Sequence, residues 1–247
     1  MNFKLIRKIA GALGYKLFDK NYVKNNRLCG KYSDLNIKNI LKSFFDKKII
    51  NSLIQIGAND GKSFDDLSFF IKKYQTNSIL VEPIPEHFDE LKINYSQLKN
   101  VNLENVAISE DKEKKYLYSV KKKFRDIYGG HAKAISSFNL DHLLKHGVRK
   151  GHVEKLFVNS LSVEKLFEKY KLTNIDLFYV DAEGYDGEIV LSFLKNSFEC
   201  KIIIFEYIHI KNNLLEKLLE ELKVKKFRFF PINENLVCMK NKIEFII

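Results

Sequence analysis

The sequence predicts an α/β domain: a mostly parallel sheet between layers of helix. Three observations carry this. From about Ile49 onward, short β-rich runs alternate with helical patterns, the signature of βαβ units. The runs Leu177-Phe178-Tyr179-Val180 and Ile202-Ile203-Ile204-Phe205 are continuously apolar, as strands covered on both faces must be. The first of the expected strands runs directly into Gly57-Ala58-Asn59-Asp60-Gly61, a turn that lets the backbone bend sharply and approach a ligand.

The elements follow in order. Ser52-Leu53-Ile54-Gln55-Ile56 reads as a buried strand. Residues 63–74 read as a helix with Phe64, Leu67, Phe70 and Ile71 on one stripe. Residues 78–82 form a second strand, 85–98 a second helix with Phe88, Leu91 and Tyr95 in period, and 101–108 a third strand. The stretch 110–158 breaks the rhythm. A short β ribbon near 115–120 is followed by basic and Gly-His-rich segments, an irregular insertion of the kind that serves as a substrate lid or an oligomer contact. Helix 163–170, strand 175–180, helix 187–194, strand 201–206 and helix 214–224 then resume the alternation, and strands 227–231 and 235–240 close it as an antiparallel pair. The expected organisation is an N-terminal helical extension, 1–48, and one domain, 49–247, with 110–158 inserted on the substrate side.

Composition narrows the class. The chain has 247 residues, enough for one α/β domain with a full core. Only 3 Pro and 11 Gly are present, which excludes long disordered linkers. No apolar run approaches the ~20 residues that span a bilayer. The net charge of +11 favours acidic partners, yet the lysines are mostly interleaved with Asp and Glu. The dense run, 112–125, with Lys114, Lys115, Lys121, Lys122, Lys123 and Arg125, is the place where an anionic substrate would be drawn, against the alternative of a solvated loop. Nucleic acid is not an expected partner, because no basic stripe is interleaved with aromatics. Cys29, Cys200 and Cys238 have no metal spacing and read as reduced thiols of a cytoplasmic protein. Residues 1–18 fit an amphipathic helix with Ile6, Ile9, Ala10, Leu13 and Leu17 on one face. Docking on its own domain is the preferred reading, with peripheral membrane contact as the most it would add.

The chemistry collects at the expected strand ends. The first turn has the spacing G-x-x-x-G, not the G-x-G-x-x-G that cradles a pyrophosphate. Glu82 closes the second strand, where a carboxylate can accept two hydrogen bonds from a ribose diol. Asn105-Val106-Ala107-Ile108 ends the third strand, where side chains flank a base. Asp181 and Glu183 stand where a buried strand leaves the sheet, at the end where ligands bind in open α/β sheets. Such a pair can face a cationic cofactor, take a proton or hold a divalent cation, while Asp181 or Asp186 would serve as a helix cap in the plainer reading. His131, in a glycine-rich loop, and His209, after the fifth strand, are further candidate bases.

The ordered set of motifs resembles the FkbM-type methyltransferases. It comprises Ile54-Gln55-Ile56-Gly57-Ala58-Asn59-Asp60-Gly61, Val81-Glu82-Pro83, Asn105-Val106-Ala107-Ile108, Ser136-Ser137-Phe138 and Asp181-Ala182-Glu183-Gly184-Tyr185-Asp186. The leader from Arg7 to Tyr15 is also similar. The resemblance implies a Rossmann-like class I methyltransferase fold: a seven-stranded, mostly parallel sheet with helices on both faces and a C-terminal antiparallel hairpin. It implies S-adenosylmethionine as cofactor and O-methylation, here of a sugar hydroxyl on a glycan or glycoconjugate. Carried over by position, Gly57, Ala58, Asn59 and Gly61 line the methionine end, Glu82 holds the ribose, Asn105 and Ala107 border the adenine, and Asp181 and Glu183 sit near the transferred methyl. Ala182 stands where the family more often has a larger aliphatic residue, and Asp186 where it has Glu. A divalent cation is a second candidate cofactor, and a homo-oligomer a candidate assembly. The alternatives are a methyltransferase acting on another small molecule or on nucleic acid, and a nucleotide-dependent oxidoreductase, which the absent G-x-G-x-x-G argues against.

Overall fold

The computed structural model describes residues 36–110, 115–129, 135–241 and 243. The expected N-terminal helix over 1–18, Cys29, Lys112 to Lys114 and His131 lie outside them. In chain order the helices are α1 (Ile37–Asp46), α2 (Ser68–Tyr74), α3 (Pro85–Tyr95), α4 (Leu140–Lys145), α5 (Val163–Lys169), α6 (Asp186–Lys195) and α7 (Asn212–Val224). The strands are β1 (Ser52–Ile56), β2 (Asn77–Val81), β3 (Val101–Glu104), β4 (Ala107–Ile108), β5 (Lys115–Val120), β6 (Ser136–Ser137), β7 (Val153–Val158), β8 (Ser160–Leu161), β9 (Asn174–Val180), β10 (Glu199–Glu206), β11 (Phe227–Ile232) and β12 (Asn235–Lys240).

The main sheet has seven strands in the order β11-β12-β10-β9-β1-β2-β3. From β10 to β3 every neighbouring pair is parallel. β12 is antiparallel to both β10 and β11, so β11 runs with the parallel set and β12 alone runs against it. Side chains alternate between faces along each strand, and the core divides accordingly. Ile54, Phe178, Ile203 and Phe205 pack with Phe167 of α5, Phe193 of α6 and Leu218 of α7. Leu53, Leu177, Ile202 and Ile204 pack on the other face with Phe44 and Phe45 of α1, Ile71 of α2 and Leu91 of α3. Both faces are covered, which is why the central strands read as unbroken apolar runs.

Three elements depart from the sequence expectation. The helix expected over 63–74 begins at Ser68. Phe64 has φ +56, outside helical space, and the Asp65 carboxylate accepts N–H bonds from Leu67 (2.8 Å) and Ser68 (3.1 Å), so the chain turns there first. The third strand is broken. Glu82 N–H to Glu104 carbonyl is the last ladder bond (3.0 Å), Pro83 has no N–H to continue it, and the Asn105 amide donates instead to the Glu82 and Pro83 carbonyls (2.9 and 3.3 Å). Beyond the break, β4 pairs with β8. The region 110–158 is built, not irregular. β5 pairs antiparallel with β6 and β7, and Val120, Ile135, Leu143 and Val148 form a small core of their own under α4. Arg125 and Lys122 of the basic run are spent on Glu86 of α3 (2.9 and 2.6 Å), which ties the insertion to the domain.

Among the described residues no helix is long and apolar enough to cross a membrane.

Candidate active site

The strand order reverses between β1, whose crossovers lead outward to β2 and β3, and β9, whose crossover leads the other way to β10. The carboxyl ends of strands at such a switch point open a crevice. A cavity of about 260 Å³ lies there, lined by Gly57 and Asn59 after β1, Glu82 after β2, Asp181 to Glu183 after β9 and Glu206 of β10. The insertion supplies Leu117, Ser136 and Phe138 to its wall.

Gly57 lets the two central strands meet at this point. Its φ is +83, and a Cβ would stand 1.8 Å from the Asp181 carbonyl oxygen. The Asp181 N–H donates to the Ile56 carbonyl (3.0 Å), and the Gly57 and Ala58 N–H groups donate to Val81 (2.9 and 3.0 Å). Asn59 follows with φ +49.

Glu82 is 5% exposed. One of its oxygens accepts the Asn59 N–H (2.9 Å) and the other the Ile84 N–H (2.8 Å). Burial raises its carboxyl to about 7, against these two bonds, which pull it down. The group is held rigidly at the cavity wall with lone pairs to spare, since each carboxylate oxygen accepts more than one bond. Val106, Ala107 and Ile108 supply an apolar wall beside it.

The opposite side is acidic. Asp66, Asp181, Glu183, Glu206 and Glu234 all line the cavity, with no Lys or Arg among the lining residues described. Asp181 is pushed well above the usual carboxylate range by burial, then by the charges of Asp186, Glu183, Glu206 and Asp66. Burial likewise raises Glu206 to about 8. Asp186 does a different job. Its oxygens accept the N–H groups of Ala182 (3.0 Å) and Gly184 (3.1 Å), which pin the loop between β9 and α6. Within that loop Glu183 adopts φ +49, a strained conformation for a non-glycine residue and typical of functional loops. Ser137 Oγ holds its carbonyl (2.8 Å), and His142 Nε2 lies 3.1 Å from its carboxylate.

Gly57, Asn59, Glu82, Ala107, Asp181 and Glu183 therefore converge on one cavity. Other expected residues stand behind it. Ala58 is buried. Gly61 faces α3, where a Cβ would meet Tyr95 and Leu91 at 2.4 and 2.6 Å. Asn105 braces the Glu82 and Pro83 carbonyls. His209 lies 3.8 Å from Glu206, in a cluster with His142 and His146 whose ring centroids are 4.7–5.2 Å apart. Burial and the two neighbouring imidazoles lower its basicity. Sequence reasoning passed over Glu206, His142 and His146. Glu206 ends a buried strand as Glu82 nearly does, and His142 and His146 have the i, i+4 spacing of a helical ligand pair. Those were the available signals.

A profile of the Methyltransferase FkbM domain matches residues 55–229. The chain belongs to the FkbM methyltransferase family. No curated protein matches the sequence. Among solved structures, a methyltransferase FkbM from Methylobacillus flagellatus KT aligns with 77% of this chain and 44% of its own length, at 8% identity and a TM-score of 0.46. The METTL16 MTase domain aligns with 97% of this chain and 82% of its own, at 11% identity and a TM-score of 0.45. A precorrin-6y C5,15-methyltransferase from Geobacter metallireducens GS-15 aligns with 83% of this chain and 92% of its own, at 11% identity and a TM-score of 0.40. This FkbM methyltransferase has the class I fold, with the single antiparallel strand β12 inserted between β10 and β11.

Proposed function

We propose that this FkbM methyltransferase uses S-adenosylmethionine to O-methylate a sugar hydroxyl of a glycan or glycoconjugate. The observation that carries the cofactor is the carboxyl-rich lining of the cavity. Its described lining holds six carboxylates, Asp66, Glu82, Asp181, Glu183, Glu206 and Glu234, and no Lys or Arg. A pyrophosphate would be repelled there, which counts against a nucleotide-dependent oxidoreductase. A cofactor bearing a sulfonium and an ammonium is complementary to it.

Bound S-adenosylmethionine supplies a methyl group already activated on a positively charged sulfur. The residues of the chain do the rest. Glu82 would accept the ribose hydroxyls, Val106, Ala107 and Ile108 would cover the adenine, and Gly57 and Asn59 would border the methionine end. Asp181, deep in the acidic wall, faces the cationic part of the cofactor. Glu183 stands nearer the insertion, fixed by Ser137 and His142, and would take the proton from the acceptor hydroxyl. The insertion's Leu117, Ser136 and Phe138 would meet the acceptor. The reading places the enzyme in the cytoplasm, where the buried Cys200 and Cys238 stay reduced. His131 and His209 are left as alternative bases. The divalent cation has no place between Asp181 and Glu183 in this scheme.

Calorimetric titration with S-adenosylhomocysteine tests it. Micromolar binding, weakened about ten-fold (~1.4 kcal/mol) or more by Glu82→Ala, with no binding of NAD, is the expected result. Tight NAD binding would sink the reading.

A further inference from the structure

We infer that His142, His146 and His209 form a binding site for a zinc-like divalent transition metal, which clamps the inserted sheet to the core beside Glu183. One ring nitrogen from each of the three lies within 4.8 Å of the others. Tetrahedral zinc with Zn–N bonds of about 2.0–2.1 Å holds its ligand atoms ~3.4 Å apart, so the rings need only small rotations to close on an ion. Among the described residues this is the compact donor cluster, and it contains no carboxylate. Three imidazoles select zinc and its neighbours over magnesium or calcium, which need oxygen donors.

The site joins parts of the chain that are distant in sequence. His142 lies in α4 and His146 caps its C-terminus, with the His146 N–H on the His142 carbonyl (3.3 Å). That helix belongs to the insertion. His209 comes from the loop after β10, where the Ile210 N–H turns back to Tyr207 (3.1 Å) and Ile210 is buried against Gly187 of α6. Glu183 provides the link to the cavity: its carboxylate lies 3.1 Å from His142 Nε2, the carboxylate–histidine arrangement that orients metal-bound imidazoles. His142 is buried while His146 and His209 are half-exposed, which leaves an entry path and a fourth position for an oxygen donor. The inference rests on this geometry and not on the methyl-transfer reading.

The test uses the full-length, untagged chain, stripped with a chelator and titrated with Zn²⁺ and separately with Mg²⁺. One Zn²⁺ per chain is expected, with no comparable Mg²⁺ binding, and a Zn²⁺-dependent rise in Tm. His146→Ala and His209→Ala should each weaken Zn²⁺ binding by ~10-fold or more and abolish the rise in Tm. Circular dichroism confirms that each variant folds. Co²⁺ bound to the parent chain gives a second readout, the visible bands of a four-coordinate site, and needs no variant. Sub-stoichiometric Zn²⁺, equal affinity for Mg²⁺, unchanged binding in both variants, or an octahedral Co²⁺ spectrum would each overturn the inference.

Discussion

The backbone of Asp181 leaves no room for a side chain at Gly57: a Cβ there would stand 1.8 Å from the Asp181 carbonyl oxygen. The contact is backbone on backbone, so no rotamer relieves it. Gly57→Ala would also force a side chain onto φ +83. The expected loss is more than ~2 kcal/mol of stability, together with S-adenosylhomocysteine binding, because the strand ends that shape the cavity separate. Gly61→Ala is the contrast. It overcrowds Tyr95 and Leu91 behind the cavity, so it should lower Tm while the folded protein binds S-adenosylhomocysteine within about twofold of the parent. Urea denaturation and calorimetry on both variants separate the two effects.

Glu82 gives cofactor binding a pH dependence. Burial raises its carboxyl to about 7 in the free protein, and two ribose hydroxyls are best accepted by the charged form. Affinity for S-adenosylhomocysteine should therefore rise from pH 6 to pH 8, and fall towards ~10-fold per unit below pH 7 as the group must first lose its proton. Calorimetry across that range checks it. Glu82→Gln should bind weakly and with a flat profile, and a flat profile in the parent would remove Glu82 from the cofactor site.

The same burial has a consequence for folding. Glu82 and Asp186 both sit at about 7 in the native protein, against ordinary values of 4.5 and 3.8. Folding therefore raises their affinity for protons. The stability this contributes is complete below about pH 4 and is lost as pH rises through 7. Glu86 and Asp46 are lowered, by Lys122 and by Lys42, and their opposite contribution changes only below their ordinary values. His87 and His209, lowered by burial, oppose this trend, but Glu206, raised to about 8, adds to it, so the Tm of the cofactor-free protein should decline between pH 5 and pH 8. A Tm that climbs over that interval would contradict the carboxyl assignments.

The parts of this molecule that the sequence announces are those whose burial leaves a pattern. β9 and β10 are covered on both faces and read as unbroken apolar runs, and Gly57, Glu82 and Asp181 fall at predictable strand ends. The start of α2 was hidden because Phe64 continues an apolar stripe while its backbone, at φ +56, has already left the helix. The break after β3 turns on Pro83, a neighbour in space with no N–H to give. The inserted sheet was hidden because β5 pairs with β7 across more than thirty residues, and nothing local marks such a partner. Gly61, in a ligand-like motif, also makes room for Tyr95 and Leu91.

Glu183 separates catalysis from binding. The residue lines the cavity beside the insertion, its carbonyl and carboxylate are held by Ser137 and His142, and its loop is pinned by Asp186. Glu183→Gln keeps the shape and removes the basicity. S-adenosylhomocysteine affinity should stay within about twofold, while kcat for transfer of a radiolabelled methyl group to a glycan acceptor falls by ~100-fold or more. Asp181→Asn should do the reverse in part, weakening the cofactor because the amide, unlike the carboxyl, cannot ionise against its positive charge. If Glu183→Gln retains full kcat, the proton goes elsewhere, and His209 becomes the residue to remove next.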